Sequence, residues 1–412
     1  MYLSAPSTEP VAIRKIGGLA RRIPSTVVLL GVVSLLTDIS AEMVTAVMPA
    51  YLLYGLGVGL LQLGVLDGVY TGATAMLRLI GGYAGDRTTR HKHVAALGYG
   101  LSALAKLGFP LAGASVPALC TTIAVDRAGK GIRTAPRDAL ISLSAPVGDA
   151  GLAFGAHRAL DTTGALLGPV AAFGLLALTV DSYDAVFFSS FCIAAIAFLV
   201  LLAFVPAHRP GTRSARRPAR LASAFRLLRS RRFRTTCLCA VVLAGLTVSD
   251  TFLFVAVQQR LKAEPFLLPL LPVASALVFL LAAVPLGRLS DRLGRLRVFI
   301  SGHAFLAGAC LLLVLPAFGW PSAATVLVLH GLFYASTDGV LMAHASSLLP
   351  DDLRGSGLAL LQTGQAVGRM TAAVVFGAVA QTAGLQPSLI VYGLLLSTAI
   401  GIAALFHGKV MA

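Results

Sequence analysis

Twelve stretches of this chain run predominantly apolar for twenty residues or more, with polar breaks between them, and that repetition leaves few folds open. A helix crosses the hydrocarbon layer of a membrane with about 20 mostly apolar residues, and every backbone polar group inside that layer has to be satisfied within the protein. Only helices and closed barrels achieve this. The runs are continuous rather than alternating with period two, which selects helices. In the first half they lie near 25–54, 59–84, 93–113, 116–136, 151–179 and 184–206. In the second they lie near 235–258, 266–287, 297–318, 322–348, 356–382 and 386–406. Hydrophobic residues make up 57% of the 412 and charged residues 12%, a balance that suits a lipid solvent rather than a soluble core.

The basic residues test this layout, because Lys and Arg collect in cytoplasmic loops, which are every second loop of such a protein. They lie in the N-terminal segment (Arg14, Lys15, Arg21, Arg22), around Arg87 to Lys92, from Lys130 to Arg137, from Arg288 to Arg297 and at Arg354. The stretch 208–234 between the two sets holds ten arginines and no acid. The loops between these hold almost none apart from Arg260 and Lys262. The pattern implies a multi-pass protein of the cytoplasmic (inner) membrane with both termini cytoplasmic. It also accounts for the net charge of +16 without nucleic acid as a partner. The five cysteines (Cys120, Cys192, Cys237, Cys239, Cys310) all fall inside apolar runs and read as small packing residues.

Two motifs recur at one spacing. GGYAGDRTTRHK follows the second run and GRLSDRLGRLR follows the eighth, which places Asp86 and Asp291 205 residues apart. Pro146 and Pro350, before the fifth and eleventh runs, are 204 residues apart. Duplication explains both. The expected fold is an all-α membrane protein with twelve transmembrane helices in two six-helix bundles related by pseudo-two-fold symmetry. The expected organisation is an N-terminal segment 1–24, a first bundle 25–206, a basic linker 207–234, a second bundle 235–406 and a C-terminus 407–412.

The repeated loop resembles the loop motif of the major facilitator superfamily, and the resemblance extends over essentially the whole chain. Gly82, Asp86, Arg87, Arg90 and Lys92 match it in the first half, with Thr89 where the family has glycine; Gly287, Asp291, Arg292, Gly294 and Arg295 match it in the second. By that resemblance these residues form a gate latch. Arg127, Gly129 and Gly131 resemble the superfamily's fourth-helix element, which implies contact with substrate or a part in proton coupling for Arg127. Gly164, Gly168 and Pro169 resemble the core of its exporter motif, with Ala172 in place of the next glycine. The same small residues would also allow close helix packing. The runs LLTDISAEM and DRAGKGIRTAPRDAL are similar to a bacterial subgroup of the superfamily.

Seven acids fall within the expected spans: Asp38, Glu42, Asp67, Asp126, Asp161, Asp250 and Asp338. An acid near a helix centre costs about 2.5 to 3.5 kcal/mol on an insertion scale, whereas one Leu or Ile returns only about 0.3 to 0.6 kcal/mol. Such residues therefore point to function or to fixed ion pairs. Asp38 and Glu42 are four residues apart and share a face of the first helix, so that face should meet water or cations. With Asp161 and Asp250 they are the candidates for proton coupling. The fourth helix sets Asp126, Lys130, Arg133 and Arg137 along one stripe, and Asp126 can be neutralised by Lys130 or Arg127. His157 and Asp161 share a face of the fifth helix, beside Arg158; His330, Tyr334 and Asp338 share one of the tenth; Gln362 lies on the eleventh. Asp126, Arg127, Lys130, His157, Arg158, His330, Tyr334, Asp338 and Gln362 are candidates for the substrate cavity. By the family's fold, helices 1, 4, 7 and 10 line that cavity, and each supplies an acid.

Phosphate-binding loops, nucleophile turns and His–Glu–His–type zinc motifs do not occur in the sequence, so an ATP-driven pump or an intramembrane hydrolase is disfavoured. No cofactor, metal or required protein partner is expected. The reading is a secondary active transporter that moves a small solute by alternating access, with protons as coupling ion and the lipid bilayer as surroundings. Export by proton antiport comes first and proton-linked import second. A non-transporting receptor or assembly protein of the same fold is the reading from another class.

Overall fold

The structure is a computed structural model that describes residues 23–86, 91–144, 150–179, 182–206, 226–350 and 353–411. Every regular element among them is helical. The first bundle comprises α1 (Ser25–Ala50, continued by a π turn Tyr51–Gly55), α2 (Leu60–Asp86), α3 (His91–Ala112), α4 (Val116–Ser144), α5 (Ala150–Leu178) and α6 (Tyr183–Phe204). In the second, the seventh span is broken into α7a (Arg231–Gly245) and α7b (Asp250–Leu261). It is followed by α8 (Leu270–Leu293), α9 (Arg295–Val314), α10 (Trp320–Ser347), α11 (Arg354–Ala383) and α12 (Leu385–Met411). Among the described residues ten spans, all but α2 and α4, are long and apolar enough to cross a membrane by length and composition, α7a and α7b counting as one. α4 falls short because it carries six charged residues, and those residues build the site described below.

The two bundles repeat one packing scheme. α5 lies along α1 as α11 lies along α7a, and α3 pairs with α4 as α9 pairs with α10. The closest approaches repeat as well. A Cβ on Gly164 of α5 would strike the Leu35 carbonyl of α1, and one on Gly168 would come within 2.7 Å of the Ile39 carbonyl. On the other side, a Cβ on Gly368 would lie 2.8 Å from the Val241 carbonyl of α7a. Gly164 and Gly368 are 204 residues apart, the spacing of the sequence repeat.

Several helix boundaries differ from the sequence expectation, α8 among them, which runs Leu270–Leu293 rather than 266–287. α4 runs through Pro136 to Ser144 rather than stopping at 136, although a proline inside a helix removes one i→i−4 hydrogen bond. α12 begins at Leu385 and continues to Met411. The seventh span stops at Gly245 and restarts at Asp250, a break that continuous hydropathy conceals.

The chain starts α1, crosses from α6 to α7a and finishes α12 at one end of the molecule, called the linker side here; the other end is the far side. α2 and α11 form the main seam between bundles, with Gly64 facing the Ala373 carbonyl and Gly377 facing the Leu60 carbonyl. α5 and α8 meet more sparingly. Among the described residues, the hydrogen bonds across the seam lie in the far half. Tyr54 Oη donates to Gln258 Oε1 (2.6 Å), Leu61 N to Gln381 Oε1 (3.4 Å) and Thr251 Oγ1 to Asp67 Oδ1 (2.8 Å). Phe173 also stacks on Phe266 there, with ring centroids 5.8 Å apart.

Candidate functional site

Three helices of the first bundle each bring a pair of polar residues four apart into one cluster. α1 supplies Ser34 and Asp38, α4 supplies Arg133 and Arg137, and α5 supplies His157 and Asp161. Asp38 and Asp161 present their carboxyl groups to each other within hydrogen-bonding reach. Arg133 Nη2 lies 3.8 Å from Asp38 Oδ1, and Lys130 is within electrostatic range of the same carboxyl group. Ser34 Oγ donates to Asp161 Oδ1 (2.6 Å) and accepts from Arg137 Nη1 (3.2 Å). Arg137 also reaches Asp138, at 2.9 Å. Arg158 Nη1 lies 3.3 Å from Asp161 Oδ2, and its side chain is 76% exposed. The Arg133 guanidinium stacks over the Tyr99 ring at 4.6 Å. His157 is buried beside this cluster, and neither its Nε2 nor Arg133 Nη1 has a hydrogen-bond partner among the described residues.

One turn and more toward the far side, Asp126 is enclosed by cations. Lys106 Nζ lies 3.1 Å from Oδ1, Ser102 Oγ donates to the same oxygen at 2.5 Å, and Arg127 donates to Oδ2 through Nε (3.0 Å) and Nη2. Asp126, Arg127 and Lys106 are all buried. Arg127 continues to Tyr70 Oη at 2.9 Å, and Tyr70 Oη meets Thr45 Oγ1 at 3.1 Å. Glu42 is half-buried and within electrostatic range of Arg127. The Asp38–Glu42 face of α1 therefore meets cations at both acids, Lys130 and Arg133 at one and Arg127 at the other. Lys130, offered by helical spacing as a counter-ion for Asp126, serves Asp38 instead. The missed partner is Lys106, whose place in an apolar run opposite an acid was the available signal.

In the second bundle Asp250 opens α7b. Tyr334 Oη donates to both its oxygens (2.8 and 2.9 Å), and His330 Nε2 lies 3.1 Å from Oδ1. An acid suits this position because the first N–H groups of a helix are unpaired and carry partial positive charge. Asp67 of α2 faces the same helix start through Thr251. It lines a cavity of about 70 Å³ that also touches Asp126, Arg127 and Tyr70. The sequence signal for the break is Thr-Val-Ser-Asp-Thr at 247–251, a helix-start pattern within an apolar run. Asp338 lies farther along α10 and lines a second cleft with Gln362.

A family model for the Major Facilitator Superfamily matches residues 30–373 and again 251–409. The chain belongs to the Major Facilitator Superfamily. It is a membrane transporter by family and fold, and not an enzyme. It is 29% identical over 369 residues to an uncharacterized MFS-type transporter of Methanocaldococcus jannaschii, covering 87% of this chain and 89% of the relative. An uncharacterized protein of Mycobacterium tuberculosis is 36% identical over 157 residues, 38% of either chain. Among solved structures, a variant of the nucleoside transporter NupG superposes with a TM-score of 0.79 at 14% identity, covering 92% of this chain and 99% of that one. A POT family transporter in complex with 5-aminolevulinic acid gives 0.77 at 14%, covering 94% and 97%. At such identities the likeness concerns the fold.

Of the superfamily's two loop motifs, the second is visible in detail. Arg295 bridges Asp291 at 2.8 Å and donates from Nη1 to the Ala343 carbonyl of α10 at 3.1 Å. The turn between α8 and α9 passes through Gly294 at φ +98, a conformation that favours glycine. Gly287 and Arg292 lie on α8 beside it. In the first motif Gly82 and Asp86 end α2, and their side chains, with Arg87 and Arg90, lie outside the described residues. So do Pro146, the N-terminal segment 1–22 and most of the basic linker, 207–225.

Proposed function

We propose that this transporter exports a small solute across the cytoplasmic membrane in exchange for protons, with the linker side facing the cytoplasm. The orientation is supported by the arginines and lysines of the linker-side loops. Proton coupling is supported by one observation above all, the meeting of Asp38 and Asp161 inside the first bundle. Two carboxyl groups that hydrogen-bond to each other share one proton, so the pair gains or loses a proton as a unit. Losing it leaves two carboxylates for Arg133, Lys130, Arg137 and Arg158 to hold. Gaining it weakens that hold and frees α1 and α5 relative to α4. Because the bundles pack as alternatives rather than deforming continuously, such a local change biases which side is open. The far-side seam is closed here and the cleft between α2, α10 and α11 lies toward the linker side, the state in which a cytoplasmic solute loads.

The test is proton movement and solute flux measured together in proteoliposomes, with wild type, Asp38→Asn and Asp161→Asn. Each variant, folded and inserted, is expected to lose solute-driven proton movement. Proton and solute moving in the same direction would replace export with import. Solute flux without proton movement in the wild type would remove the coupling role of the pair.

A further inference from the structure

The cleft between α2, α10 and α11 contains an acid and a base that do not meet. Asp338 of α10 and Arg369 of α11 both line this open space of about 260 Å³, with Gln362, Gln365, Thr71 and Thr74 around them. Among the described residues neither charge makes a hydrogen bond or an ion pair within 4.0 Å. Five of the other six acids of the spans are engaged: Asp126 by Lys106 and Arg127, Asp250 by His330 and Tyr334, Asp67 by Thr251, and Asp38 and Asp161 by each other and by arginines; the sixth, Glu42, is within electrostatic range of Arg127. Charge inside a membrane is costly and is kept where it pairs or meets a solute. In this cleft it remains available to a solute.

We infer that the cleft binds a small zwitterion, its carboxylate on the Arg369 guanidinium and its ammonium on Asp338. This rests on the transport reading and names the class of solute carried. An anion would satisfy Arg369 and be repelled by Asp338, a cation would do the reverse, and a neutral solute would leave both charges unmatched. The guanidinium fork fits a carboxylate with two parallel hydrogen bonds. The amides of Gln362 and Gln365 and the hydroxyls of Thr71 and Thr74 offer neutral hydrogen bonds to the rest of the molecule.

The test is binding without any gradient, read as ligand-dependent thermal stabilisation of the purified full chain. The probes are straight-chain amino acids of two to six carbons with the amine at the α or the terminal position. The controls are alkylamines and alkanoates of the same lengths. A zwitterion is expected to stabilise the protein where its amine and acid counterparts do not. Arg369→Gln and Asp338→Asn should each weaken its binding about tenfold or more, as for loss of a charge-assisted contact. Alkylamines should gain relative to it in the first variant, and alkanoates in the second. Should a variant misfold, Thr74→Cys keeps the question open to measurement, since the bound zwitterion should slow maleimide labelling at that position. Equal response to zwitterion, amine and acid, or stabilisation by none of the series, would overturn the inference. Because no proton gradient is present, zwitterion binding without coupled proton flux would sink the antiport reading and leave this site standing.

Discussion

Asp126 neutralises two buried cations at once, so its removal is a different event from the removal of either cation. Asp126→Asn leaves Lys106 and Arg127 enclosed with no anion in contact, and breaking a buried pair in this way costs about 3 to 5 kcal/mol. Lys106→Met leaves Asp126 with Arg127 and should cost less. The double variant Asp126→Asn with Lys106→Met should recover part of the loss, a non-additivity that thermal or denaturant unfolding in detergent reads directly. If Asp126→Asn unfolds no more easily than Lys106→Met, Asp126 is not the structural centre of this cluster. At this scale the sequence located the charged residues and one adjacent pair, Asp126 with Arg127, but not the partners on other helices. The stripe Asp126–Lys130–Arg133–Arg137 was legible from helical spacing. Some counter-charges lie beside it on α4, Arg127 on Asp126 and Asp138 on Arg137; the others come from α1, α3 and α5, and no spacing within α4 encodes which of those it meets.

Between helices, close approach replaces charge as the organising contact. α5 packs on α1 through Gly164, where even a methyl group would meet the Leu35 backbone. Gly164→Val is therefore expected to push the two helices apart and lower stability by about 1 to 3 kcal/mol. It would also separate Asp38 from Asp161, so transport should fall further than stability does. Gly174→Val, with no neighbour within 4 Å of its would-be Cβ, serves as the control in both unfolding and flux assays. Comparable loss in the two variants would argue against a packing role for Gly164. The glycine pattern in α5 was readable in sequence, whereas the interruption of the seventh span was not. Leu246, Thr247 and Val248 keep hydropathy high through the break, and only Ser249 and Asp250 mark a new helix start.

Across the whole molecule, the contacts that join the bundles lie on the far side among the described residues. Leu61→Cys and Gln381→Cys, placed in a chain whose five native cysteines are replaced, should be joined efficiently by a short bifunctional maleimide without substrate present. The joined protein should lose transport, because the far side can no longer open. Full transport after complete joining would mean that this seam does not part during the cycle. The twelve-span architecture was legible because most spans, α4 excepted, satisfy length and hydropathy on their own, and the repeat because two motifs keep one spacing. The unequal seams were not legible: α2 and α11 meet through Gly64 and Gly377, and a pairing of small residues in distant helices leaves no local pattern.

The interruption between Gly245 and Asp250 turns the seventh span into an elbow. Its shorter arm, α7b, is fastened to the opposite bundle at both ends, by Thr251 on Asp67 and by Gln258 on Tyr54. Its longer arm, α7a, lies along α11 within its own bundle. A continuous rod held this way would have to bend or slide as one bundle turned against the other. A jointed one lets the longer arm swing while the shorter keeps its grip, so the first part of the turn costs only a change of angle at four residues, Leu246 to Ser249.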